Sequence, residues 1–215
     1  MFQMLARLLR RTLPAALSAA LTTLLLAFTA PVAQAVEAEG FTLEDSIVEG
    51  GVKLQLNGYA VRKRGYFKTE LASMYVSERA TTPEDIYKGN RIVVLRRTLL
   101  RDIPMSSASR YFVSDFKTVT TDAEFKQLIS EIGELGALYG SINRLSRGDV
   151  VEAIWTPGKG MTGRFNGRLL TPEPTNSRLF FEVYMRQCLG PIVSPDYRDG
   201  LLGRTGDAKT AQAAP

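Results

Sequence analysis

The sequence predicts a single α+β domain built on an antiparallel sheet. Apolar residues alternate with period two on either side of the middle of the chain, over residues 52–76 and 149–168, as half-buried strands require. Between them the spacing turns helical. The dipeptides Asn57-Gly58 and Asn166-Gly167 join neighbouring strands directly, which only antiparallel strands permit. Strands, then helices, then a β-meander do not form the βαβ alternation of a doubly wound parallel sheet.

Taken in order, residues 36–46 are acidic and irregular. Residues 52–56 read as a strand, Asn57-Gly58 as a two-residue hairpin, and residues 59–62 and 66–76 as further strands. Thr82-Pro83-Glu84-Asp85 opens a short helix, with Thr82 as cap and Pro83 in the first turn, and Gly89-Asn90 closes it. "RIVVLRRT" (residues 91–98) is the next strand. After Pro104, Ala108, Tyr111, Phe112, Phe116 and Val119 keep helical spacing. A capping box, Thr121-Asp122-Ala123-Glu124, then starts one helix expected to run to about residue 139. Its Gly133 and Gly136 are positioned for close packing against another element. Residues 149–155 and 161–165 are strands, with a third beginning at Arg168. Ser177 caps a helix to about Leu189, and Ser194-Pro195-Asp196 opens a short one ending near Gly203.

The two ends stand apart from this pattern. Residues 1–35 read as a secretory leader: Arg7, Arg10 and Arg11 precede an apolar run over residues 13–30, and Ala33-Gln34-Ala35 is the small-x-small signal for cleavage before Val36. The competing reading is a retained membrane anchor. Pro14, Ser18, Thr22 and Thr23 interrupt the run, so the expectation is a periplasmic protein with no stable membrane span after cleavage. The domain then covers residues 36–203, and residues 204–215 are a small, polar tail expected to be disordered.

Removing the leader changes the charge argument. The 215-residue chain has 27 Lys+Arg against 22 Asp+Glu, net +5; without the three leader arginines the balance is 24 against 22, net +2. That is too little to predict nucleic-acid binding. The remaining excess is local, at Arg62-Lys63-Arg64 and at Arg96-Arg97 with Arg101. Cys188 is the one cysteine and there is no histidine. The first excludes an intrachain disulfide. The second excludes Ser-His-Asp and Cys-His catalysis and histidine-ligated zinc or haem, and no metal or cofactor is expected.

"PGKGMTG" (residues 157–163) has the Gly158, Gly160, Gly163 spacing of a dinucleotide fingerprint. A real fingerprint leaves a strand and opens a helix. Here the motif joins two predicted strands, so it reads as a hairpin loop and no nucleotide is expected.

Several stretches in order resemble the chalcone isomerase superfamily, in its bacterial chalcone-isomerase-like branch. "LNGYAVRKRGYFKTELASMYV" (residues 56–76) is similar to the family's opening, "GDVVEAIW" and "PGKGMTGRFNGRLL" to a strand and its Pro-Lys-Gly hairpin, and "FFEVYMRQCLGPIVSPDYRDGLLG" to its closing helices. The resemblance covers roughly residues 40–203. It implies an open-faced β-sandwich, a large antiparallel sheet with helices packed on one face, and a ligand cleft between the two layers. Members include flavonoid isomerases, fatty-acid-binding forms and noncatalytic relatives.

The family's ligand arginine matches Arg62 through Ala60-Val61-Arg62, with Arg64 as a second register. Counted back from Tyr75, its threonine falls on Glu70, beside Thr69; its tyrosine and asparagine fall near Ser109 and Phe116, with Tyr111 two positions away. The arginine survives and the polar network that closes a flavanone ring does not, so no catalytic residue is assigned. The resemblance implies a noncatalytic site for a small apolar carboxylate such as a fatty acid, with Arg62, Arg64, Thr69, Glu70, Tyr75 and Tyr111 as candidate ligand residues. A ligand-facing Arg62 would contribute little to stability. Two rivals stay open: an isomerase or lyase with an unknown substrate, and a noncatalytic partner of another periplasmic protein. The bland alternatives are a solvated strand edge for Arg62-Lys63-Arg64, core packing for Tyr75 and Tyr111, a simple ion pair for Glu70, and a small buried residue for Cys188.

Overall fold

The computed structural model describes residues 35–205 apart from 141, 143, 171 and 172. The leader up to residue 34 and the tail beyond residue 205 lie outside the described residues. The strands are β1 (Val36–Ala38), β2 (Phe41–Leu43), β3 (Ser46–Glu49), β4 (Val52–Arg64), β5 (Phe67–Val76), β6 (Val93–Leu99), β7 (Ile103–Pro104), β8 (Arg144–Leu145), β9 (Val150–Thr156), β10 (Gly160–Phe165) and β11 (Arg168–Leu169). The helices are α1 (Pro83–Tyr87), α2 (Met105–Val119), α3 (Asp122–Gln127), α4 (Ile129–Gly140), α5 (Arg178–Leu189) and α6 (Pro195–Leu201).

Seven strands form one antiparallel sheet in the order β11-β10-β9-β6-β5-β4-β3. The helices pack on one face, where Ala72, Met74, Leu95, Ala153 and Trp155 of the sheet meet Phe180, Phe181, Tyr184 and Cys188 of α5. The architecture is the expected α+β one. The other face carries a smaller apolar set, Leu54, Tyr75, Val94 and Ile154, and a patch around Leu43, Leu71 and Leu100 that includes residues of β1 and β2. The sheet is strongly curled: Arg164 on β10 reaches Glu49 on β3 at 2.7 Å although the two strands are at opposite sides of the sheet.

The turns follow backbone requirements. Gly50 and Gly51, both at positive φ (56° and 81°), make the two-residue turn between β3 and β4. Asn166 and Gly167 (49° and 76°) make the expected one between β10 and β11, and both fit the turn type favoured in tight hairpins. "PGKGMTG" is the β9–β10 hairpin, as expected from its strand-to-strand setting.

Four expectations are corrected. Asn57-Gly58 is not a turn but lies inside the 13-residue β4, at a register shift opposite β5. Buried Asn57 donates to the carbonyls of Ala80 (3.0 Å) and Leu201 (2.9 Å) and accepts from the Ala80 amide (2.9 Å), so it ties the strand to α6 and to the loop before α1. The helix expected from residue 121 to 139 breaks at Leu128, whose backbone (φ −99°, ψ 8°) caps α3. Leu128 is fully buried there, while Glu124 clasps Arg186 of α5 at 2.9 Å. Gly133 and Gly136 face open space, so close packing is not their role. The acidic segment at residues 36–46 is also ordered, as the β1–β2 hairpin and the start of β3.

Candidate functional site

Alternation on β4 turns Arg62 and Arg64 toward the helices. Glu70 stands directly across from Arg62 on β5, and Arg97 is the register partner of Ala72 one strand further on β6. From above, α2 contributes Tyr111, Phe112 and Asp115, while α5 contributes Tyr184 and Gln187. Asp115 accepts from Arg62 Nη2 at 2.8 Å and from both terminal nitrogens of Arg64, one of them at 3.3 Å. Arg62 Nη1 donates to the Gln187 carbonyl at 3.1 Å. Each guanidinium also lies over an aromatic ring: Arg62 over Tyr197 (5.9 Å), Arg64 over Tyr111 (4.4 Å) and Arg97 over Tyr184 (5.1 Å), within the reach of a cation–π contact.

The cluster therefore holds three guanidiniums and two carboxylates, Glu70 and Asp115, a surplus of one positive charge at a mostly buried site. Burial by itself would depress the Arg62 guanidinium; the negative groups around it, Glu70 first, outweigh burial and hold it above its ordinary value. Burial pushes the Tyr197 hydroxyl and the Cys188 thiol up, so both stay neutral. Glu70 Oε1, Gln187 Nε2 and the Tyr197 hydroxyl are among the buried polar atoms with no hydrogen-bond partner among the described residues. Buried polar atoms are nearly always satisfied, so several such atoms in one cluster are consistent with a site that completes its bonding with a bound group or water.

Besides an open groove of about 1130 Å³ that Arg62, Arg64 and Tyr111 share with the β4–β5 hairpin tip, two further cavities adjoin the cluster. A small one of about 90 Å³ is lined by Arg64, Thr69, Glu70, Arg97, Tyr111 and Gln187, among others. A larger one of about 440 Å³ lies between α4 and the β9–β10 side of the sheet, with Leu135, Leu138, Met161, Leu170, Phe180 and Tyr184 in its wall. Tyr184 lines the large cavity and Arg97 the small one, so their stacked pair stands between them.

Of the sequence-predicted residues, the structure brings Arg64, Thr69, Glu70 and Tyr111 to the small cavity. The Thr69 hydroxyl is engaged, donating to the Arg62 carbonyl at 3.1 Å. Arg62 lies behind them, 7% exposed and tied to Asp115 of α2 and to the Gln187 carbonyl of α5. Tyr75 is not brought to the cluster. It packs on the opposite face of the sheet with Leu54, Val94 and Ile154, under Arg96 at 5.3 Å. Sequence reasoning missed Arg97, Asp115 and Gln187. The first had a signal: in the Arg96-Arg97 pair alternation must put one side chain on each face, and Arg96 duly pairs with Glu152 at 2.8 Å on the other side. Phe116, where the resemblance would need an asparagine, is fully buried and stacks on Phe180 at 5.7 Å.

A curled antiparallel sheet with helices on one face, and a polar cluster buried between the layers, defines the chalcone-isomerase type of fold. The profile of the chalcone isomerase-like family matches residues 35–203, and the chain belongs to that family. Among solved structures it is similar to a fatty-acid binding protein of Arabidopsis thaliana, with a TM-score of 0.64, 14% sequence identity, and coverage of 83% of this chain and 100% of that one. No curated protein sequence matches the chain.

Proposed function

We propose that this domain is a noncatalytic binding protein for a small apolar carboxylate, a fatty acid first among them, and that it acts in the periplasm after removal of residues 1–35. The observation that carries the reading is the surplus guanidinium charge beside an apolar cavity. A guanidinium fork accepts both oxygens of a carboxylate, and the small cavity has room for a head group only. The 440 Å³ cavity falls within the roughly 300–1,000 Å³ of small-molecule sites; Leu135, Leu138, Met161, Leu170 and Phe180 suit an acyl chain, while Glu131, Glu134 and Glu173 also line it. The carboxylate then sits at Arg64 and Arg97, with Tyr184 marking where the chain begins. Arg62 holds Asp115 in place rather than meeting the ligand first. The similar Arabidopsis structure, a fatty-acid binding protein, supports the ligand class. The basic start, apolar run and Ala33-Gln34-Ala35 site support export.

Native mass spectrometry of the purified protein tests the reading. A co-purified species with the mass of a fatty acid, lost on delipidation and regained with added oleate, is expected. Delipidated protein that takes up no fatty acid would rule it out.

A further inference from the structure

Behind the candidate site, the β4–β5 hairpin ends in a tip made of "RKRGYFK" (residues 62–68). Gly65, at φ +59°, makes the turn with Tyr66, closing the strands at the Arg64–Phe67 pair. Tyr66 is wholly exposed and Phe67 is 59% exposed. Neither ring reaches the core: Tyr66 buries no surface in the free chain, and Phe67 leaves more than half of its own in water. Around them stands a ring of cations. Lys63 and Lys68 are exposed cross-strand partners, a like-charge pairing that disfavours the hairpin unless an anion lies nearby. Arg101 covers the Phe67 ring at 4.2 Å, and exposed Arg110 on α2 flanks Tyr111 at 5.9 Å. Glu39 offsets part of this charge through its ion pair with Lys68 at 2.6 Å, while Asp102, beside Arg101, is engaged by Arg144 at 3.1 Å, which leaves Lys63, Arg101 and Arg110 as the larger part of the positive surface.

We infer that this tip docks on the surface of an anionic lipid bilayer, with Tyr66 and Phe67 entering between headgroups and Lys63, Lys68, Arg101 and Arg110 meeting lipid phosphates. Aromatic rings with one polar end favour the headgroup level, and clustered Lys and Arg beside apolar side chains are attracted to anionic lipid. An acidic protein partner would use the charges, and the open groove of about 1130 Å³ beside the tip could receive its side chains, but a fully exposed tyrosine at the turn itself suits the headgroup level of a bilayer better. The inference is independent of the fatty-acid reading, since it uses only groups outside the buried cluster.

The test is co-sedimentation of the mature protein with vesicles free of fatty acid, of phosphatidylcholine alone or mixed with phosphatidylglycerol. Binding to the mixed vesicles only, weakening as salt rises, is expected. Lys63→Glu should lower partition at least about fivefold, and the double variant Tyr66→Ser, Phe67→Ser at least as much, with circular dichroism unchanged. Tyr66→Trp should give an emission shifted to the blue on binding the mixed vesicles, because the other tryptophan, Trp155, is already buried. No binding to anionic vesicles at low salt, or binding that both sets of variants leave intact, would overturn the inference.

Discussion

Arg62 on β4 and Asp115 on α2 are joined at 2.8 Å, and this ion pair fastens the helical layer to the sheet. Because Arg64 shares the same carboxylate, deleting Arg62 does not strand Asp115 as an uncompensated buried charge, the case that costs about 3–5 kcal/mol. Arg62→Ala should instead lose the charge-assisted bonds to Asp115 and the Gln187 carbonyl. The expected cost is about 1.5–3 kcal/mol, read as a lower urea midpoint at unchanged slope. A midpoint equal to the parent's would mean that the pair contributes nothing to the fold.

Gly58 is fixed by close approach rather than by a turn. A Cβ at this position would stand 2.1 Å from the Gly200 carbonyl oxygen and 2.6 Å from the Gly203 amide nitrogen, both backbone atoms. Gly58→Ala should therefore cost about 3 kcal/mol or more, since overpacking against rigid neighbours is at the upper end of its range. Gly65→Ala, at a site with open space around it but a left-handed backbone, should cost less, about 1 kcal/mol. Equal losses from the two changes would contradict the close contact of β4 and α6.

Burial raises the hydroxyls of Tyr75 and Tyr197, pushes Tyr87 up to about 12, and raises the Cys188 thiol. Each group keeps its proton in the folded chain at pH values where the unfolded chain has lost it. The folded state then binds more protons, so stability falls as pH rises, starting near the unfolded thiol and tyrosine values of about 8.5 and 10. Urea midpoints at about pH 8 and about pH 10.5 should differ clearly, the second being lower. A midpoint that is level across this range would show these groups to be solvated.

Much of the fold was legible because local chemistry and global pattern agree. Thr82, Thr121, Ser177 and Ser194 each accept a hydrogen bond at the helix start their sequence announces, and Asn166-Gly167 turns where it should. Asn57-Gly58 misled because the same dipeptide serves a different need: the amide side chain satisfies distant backbone groups and the missing Cβ lets α6 approach. The break at Leu128 answers to tertiary burial, which no local propensity records. Within the site, Arg62, Arg64, Glu70 and Tyr111 were visible through the family resemblance, whereas Asp115 and Gln187 come from helices whose rotation against the sheet is set only on packing. Tyr75 was misplaced because it stands an odd number of positions from Glu70 on the same strand, so alternation turns it to the opposite face of the sheet.

The central claim is that a carboxylate is held by guanidinium charge beside an apolar cavity. Its most direct measurement is a binding titration of the delipidated protein with a fatty acid and, in parallel, with the methyl ester of the same acid. The two share a chain and differ in charge. The acid should bind one to one and at least about tenfold more tightly than the ester, the worth of a charge-assisted hydrogen bond, and Arg97→Ala should bring the two close together. Equal binding of acid and ester by the parent protein, or binding of neither, would contradict the account.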